Sequence, residues 1–316
     1  MNDDLTASMN HPSGRLAAVL LKKMKKGSDV SEPIRLRLDK LVSAPGEFGH
    51  LARVRLAAEV AFLFECDPKW TREKIIPILE WSSPEASAAW SARKYAKYLG
   101  SPELFNLTKQ PFLEMFGRAD VGDEDQRLFA GWLTTMMIAN RSHQAEYPIE
   151  PAEARLALRR AGIKCLPRVG HRLAMEMEHA KPDEKIATWR GVVGPVFQSI
   201  WPLDIELQTS ATTFVLVHIL CASGIAFPEA VDVIVPFIRP DTPQGHTSVY
   251  SISNADDILY SSSPEKMLEL IAAVVGDAPA QSAYRLGKVL ERIRQNAPQL
   301  ANSMKFQKLL GLAMPE

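Results

Sequence analysis

The feature that most constrains this chain is a tripeptide that opens helices. Ser83-Pro84-Glu85, Ser101-Pro102-Glu103 and Ser263-Pro264-Glu265 each offer a hydroxyl acceptor, a fixed φ and a negative charge in the order that a helix N-terminus requires. Around these starts the chain reads as helix after helix. Ser13 caps Arg15 to Lys26, which Gly27 terminates, and Ser31-Glu32-Pro33 opens the next. A long helix is expected from Phe48 to Glu65, then helices from Pro68 to Trp81, Ser83 to Leu99 and Ser101 to Phe116. After an acidic turn (Asp120, Asp123, Glu124, Asp125), more cover Gln126 to Ser142, Pro151 to Ala161, Pro167 to His179, Asp183 to Ile200, Glu206 to Ala222 and Phe227 to Ile238. Three more cover Glu265 to Val275, Ala280 to Gln295 and Asn302 to Leu312. The strand-like alternation is confined to Thr247-Ser248-Val249-Tyr250-Ser251-Ile252.

Proline followed by bulky apolar residues recurs at Pro77-Ile78-Leu79, Pro111-Phe112-Leu113, Pro195-Val196-Phe197 and Pro236-Phe237-Ile238. The gaps are 34, 84 and 41 residues, and with 84 taken as about two periods of 42 they approach the roughly 40–47 residues of a two-helix HEAT-like repeat. The expected fold is all-α, an irregular HEAT-like superhelix of about fifteen helices. Residues 1–47 form an N-terminal helical segment, 48–239 the main repeat domain, 240–263 a long loop and 264–316 a C-terminal helical cap. Trp70, Trp81, Trp90, Trp132, Trp189 and Trp201 are expected mostly as anchors between helices.

Composition narrows the function. The chain has 22 prolines against 17 glycines, and neither GxxxxGK[ST] nor GxGxxG occurs, so phosphate-loop chemistry has no support. Gly191-Val192-Val193-Gly194-Pro195 is a spaced glycine pair that suits close helix packing. No HExxH or GxSxG occurs either. His218 and Cys221 share a helix face, but a zinc site wants a second pair, so a packed histidine beside a packed thiol is expected and no metal. Cys66, Cys165 and Cys221 are too few and too scattered for a disulfide framework. The start, Met1 to Asn10, carries Asp3 and Asp4 and no apolar run. The uncharged stretch from Leu207 to Phe227 is rich in Ser, Thr, Gln and Gly. A cytoplasmic chain with no membrane span, no cofactor and no catalytic residue is expected.

Two surfaces stand out as candidates. The long loop offers Arg239, Asp241, Gln244, His246 and Tyr250 for a protein partner. Nucleic acid is the alternative, because the total of 37 basic and 37 acidic residues hides two basic ends. From Arg15 to Lys40 the net charge is +5, including Lys22, Lys23, Lys25 and Lys26, and from Arg285 to Lys308 it is again +5, including Arg292 and Arg294.

The order of longer motifs carries a resemblance. Ala57 to Ala61 runs into Phe62-Leu63-Phe64, then Asp67-Pro68-Lys69-Trp70-Thr71-Arg72, Ile76-Pro77-Ile78-Leu79-Glu80-Trp81, Glu85-Ala86 and Trp90. Later come Trp189, Ile200-Trp201-Pro202, Phe227-Pro228-Glu229-Ala230-Val231 and Pro264 to Leu270. From His50 to Val275 the chain resembles the helical domain found C-terminal to sirtuin-like NAD-consuming domains in bacterial antiphage proteins. The resemblance implies a scaffold or sensor in phage defence, one that holds an oligomer or detects infection for an effector. This sequence lacks the glycine-rich NAD loop, so no catalytic residue carries over, and the implied partner is an effector subunit or a phage protein.

Overall fold

The computed structural model describes residues 4–27, 30–96, 99–241, 248–276 and 285–313. Every regular element among them is helical, so the all-α class holds. The helices are shorter and more numerous than the sequence suggests, because several expected helices are broken in two. Residues divide into two compact units: Met1–Trp132 with Ala145–Glu153, and Leu133–Gln144 with Ala154–Glu316. This differs from the four-part division read from the sequence. The 240–263 segment is no simple loop, since Ser248–Ser253 and Asp257–Ser262 are helices and Ile252, Leu259 and Tyr260 are buried. The alternation at Ser248 to Ile252 therefore marks a short helix rather than a strand.

Local chemistry explains most boundaries. Ser101 accepts from the Leu104 N–H at 3.2 Å and starts Pro102–Glu114 as expected. Pro264 opens Pro264–Val275 behind Ser263. The third copy behaves differently. The Ser83 hydroxyl accepts from the Glu85 N–H in a tight turn, and the helix starts only at Ala86. At the N-terminus the cap is His11, not Ser13. The His11 ring accepts from the Ser13 N–H at 3.2 Å, and Ser13 is buried inside Pro12–Lys23. That helix ends before Lys25 and Lys26, and Gly27 makes the following turn at φ +69°.

The expected Phe48–Glu65 helix is Gly46–Ala58 and Val60–Cys66, broken at Glu59. The acidic turn is partly a helix start, since Asp123, Glu124 and Asp125 form the first turn of Asp123–Arg141. Negative charge there faces the positive end of the dipole.

In the first unit, a cluster of aromatic rings joins the aliphatic core. Trp90 meets Phe129 edge-on at 5.8 Å and Phe112 at 6.0 Å, and its Nε1 donates to the Leu79 carbonyl at 2.9 Å. Trp70 donates to Asp39 at 2.7 Å and Trp81 to the Pro111 carbonyl at 2.8 Å, so each ring satisfies its N–H, with Trp70 buried and Trp81 half-buried. Gln126 is fully buried, and its amide bonds Gly117, Arg118 and Val121, which fixes the turn between two helices.

In the second unit, Leu166–His179 lies against Ser210–Ala222. Gly170 allows this approach, because a Cβ there would fall 2.7 Å from both methyl carbons of Val215. The expected Asp183–Ile200 helix contains a π-helical turn at Trp189–Val193. Gly194 sits against the Trp189 ring of its own helix, and Gly191 faces open space. Neither glycine of the pair packs on a second helix. Among the described residues no single helix is long and apolar enough to cross a membrane. Ser210–Ala222 and Gly224–Phe237 pass as a pair only across a 115° bend.

Candidate functional surfaces

The sequence-derived residues of the 239–263 segment separate into three groups. Asp241 is 3% exposed and structural. Its carboxylate accepts from the Ser248 N–H at 2.7 Å and the Ser248 hydroxyl at 2.9 Å, which starts the next helix, and its N–H donates to Val274. Arg239 turns back on its own chain, donating to the Pro236 and Ile238 carbonyls, while its backbone is clasped by the Thr213 hydroxyl at 2.7 and 2.8 Å. The Asp241 carboxylate is thus turned inward, and Arg239 uses Nη1 on its own backbone. Tyr250 is different. It is 45% exposed, with the Arg285 guanidinium 4.9 Å over its ring and Asn254 3.2 Å from Arg285. Gln244 and His246 lie outside the described residues.

The basic ends also divide. Arg292 is a clamp, not a phosphate ligand. It donates to Ser253 at 3.1 Å, Ala255 at 2.9 Å and the Asp257 carboxylate, and lies 3.6 Å over the Tyr260 ring. Burial, with Arg292 opposing it, pushes the Tyr260 hydroxyl above the ordinary tyrosine range, and that hydroxyl donates to Ile252 at 2.7 Å. Arg294 pairs with Glu291, and Lys26 pairs with Glu65 at 2.5 Å. Lys22, Lys23 and Lys25 stay exposed.

The structure assembles a polar array that sequence reasoning did not single out. The Asp4 carboxylate lies 3.3 Å from His50 Nε2, Glu85 lies 3.2 Å from His50 Nδ1, and Arg53 grips Glu85 through two bonds of 2.6 Å. Arg53 also donates to Val42 and Ala44 at the C-terminal end of Glu32–Ser43. Burial raises the Glu85 carboxyl, but the Arg53 bonds and charge, aided by His50, hold it below the ordinary value. The spacing of His50 and Arg53, three residues apart on one helix, was the available signal. Nothing in the sequence announced Glu85 as their common acceptor.

Arg93 was also missed. It is 3% exposed between the Trp90 and Trp132 rings, 5.2 and 5.6 Å from their centroids. It donates to Leu99 at 3.2 Å, its Nε has no acceptor, and burial pulls its pKa down to about 10.

In the second unit, His218 bonds Glu178 at 2.8 Å and stacks on His171 with centroids 5.9 Å apart. Beside it Lys185 donates to the last carbonyls of two helices, Met177 and Ala222, the latter at 3.1 Å. Burial lowers its pKa, against the pull of Glu178. Burial also raises the Cys66 and Cys221 thiols, which favours the protonated, unreactive form. Among the described residues no group of three or more His, Cys, Asp or Glu could hold a metal ion.

No protein-family model matches the chain, and no solved structure matches it. Over 314 residues it is 23% identical to an uncharacterized protein, y4cA, of Sinorhizobium fredii. The match covers 97% of this chain and 26% of that protein, so the chain spans about a quarter of its relative's length.

Proposed function

We propose that the chain is a non-enzymatic helical scaffold or sensor that binds a protein partner in bacterial antiphage defence, working in the cytoplasm. The observation that carries partner binding is the exposed Tyr250 ring with Arg285 over its face. Tyrosine and arginine are enriched where interfaces concentrate their energy, and tyrosine brings a large contact area at little entropic cost. The pair stands on short helices docked by Asp241 and Arg292, so its scaffold is fixed before a partner arrives. The helical-repeat character suits this role, since stacked helices present extended surfaces. The defence assignment rests on the resemblance of His50 to Val275 to the helical part of sirtuin-like antiphage proteins. That the chain is similar to about a quarter of a longer bacterial protein fits a module that serves an effector.

The test is phage plating on a host deleted for this gene and complemented with the wild type or Tyr250→Ala. Deletion should raise plating efficiency, wild type should restore resistance, and Tyr250→Ala should not, at equal protein level. Plating that ignores the deletion rejects the defence role. Resistance that survives Tyr250→Ala rejects this surface.

A further inference from the structure

From Leu5 to Ser28 the chain carries five lysines and arginines and no carboxylate. The helix Pro12–Lys23 turns Ser13, Gly14, Ala17, Leu20 and Leu21 inward. A Cβ on Gly14 would fall 2.0 Å from the Ser8 carbonyl oxygen, so this side is pressed on its neighbour and its orientation is fixed. The opposite side holds Arg15, Leu16, Val19, Lys22 and Lys23, all exposed, with Leu16 at 43% and Val19 at 49%. Met9, at 59%, precedes it and Lys25 follows it. At about 100° per residue Val19 lies at the middle of this stripe, with cations on both sides.

We propose that this stripe docks on the surface of an anionic phospholipid bilayer. Its charge is complementary to acidic headgroups, and its aliphatic side chains lie among the cations, where they reach the acyl boundary while lysines extend to phosphate. Contact of this kind needs no spanning segment. A nucleic-acid backbone would leave Leu16 and Val19 without an apolar partner, and the stripe has no aromatic or amide to stack on or read a base. A second copy packed on the same face would set cations against cations. The inference stands apart from the Tyr250 surface and does not rest on the partner reading.

The full chain is tested by co-sedimentation with phosphatidylcholine vesicles, with and without phosphatidylserine. Binding is expected only with phosphatidylserine, falling as salt rises. Each lysine on the stripe contributes about fivefold, so Lys22→Glu with Lys23→Glu should lower partitioning at least about 25-fold. Val19→Asp should lower it as well, and circular dichroism should show both variants folded. The control pair Lys288→Glu with Lys305→Glu, exposed elsewhere, should leave binding unchanged. The proposal is overturned by no binding to the acidic vesicles. Equal loss in the control pair, tighter capture of a duplex oligonucleotide by the same lysines, or self-association that Val19→Asp abolishes would overturn it as well.

Discussion

Arg93 in the first unit and Arg292 in the second both lie against aromatic rings, yet they are held in opposite ways. Arg292 spends its donors on two carbonyls and a carboxylate, with Tyr260 beneath. Arg93 has two indoles and one carbonyl, no carboxylate bond, and an orphaned Nε. A half-buried guanidinium that donates to several acceptors ties segments together, and removing it strands the carbonyls it held. A buried guanidinium with an empty donor instead pays desolvation for little return, and its value is largely the volume and aromatic contact of its stem. The same residue type thus marks a tie in one unit and a filler in the other.

Substitutions sharpen this contrast. Arg292→Ala should have the largest effect, about 3 kcal/mol by denaturant unfolding, since it strands the Ser253 and Ala255 carbonyls together and uncovers the Tyr260 ring. Arg292→Lys should recover less than half, because one ammonium cannot span that fork. Next comes Glu85→Gln, expected to cost about 1–2 kcal/mol at neutral pH. The folded Glu85 carboxyl titrates below its ordinary value, so its contribution is present above about pH 4.3 and fades as pH falls through the lowered folded value. Wild type and variant should therefore converge in acid, and a difference that persists there would refute the ion-pair account. Arg93→Met should stay within about 1 kcal/mol of wild type, since an apolar side chain of similar length removes the unmet donor. A loss as large as that of Arg292→Ala would erase the distinction between the two sites. Lys22→Glu should leave stability within about 0.5 kcal/mol, as an exposed substitution without a tie.

The helical class was legible because its signals are local. Ser101 and Pro264 mark helix starts with chemistry that acts within four residues. The break at Glu59 was not legible, because Leu51, Val54, Leu56, Val60, Leu63 and Phe64 are buried on either side and no polar stripe changes phase there. The sites were read less well than the fold for a related reason. Asp241 and Arg292 are polar, and a polar residue in a presumed loop or basic run reads as surface. Arg292 meets Ser253 from 39 residues away, and only the folded chain brings them close, while the Asp241 carboxylate meets Ser248 seven residues on, across a stretch that reads as loop. Tyr250 is exposed, as a candidate contact must be, and the cation over its ring comes from Arg285, also distant in sequence.

The position of Lys185 has a kinetic corollary. Its ammonium closes the ends of Leu166–His179 and Ser210–Ala222 at once, so the last turn of neither helix can fray without loosening the other. The amide hydrogens before Met177 and those before Ala222 should exchange with deuterium as one cooperative group, and replacing this single amine by methionine should split that group into two.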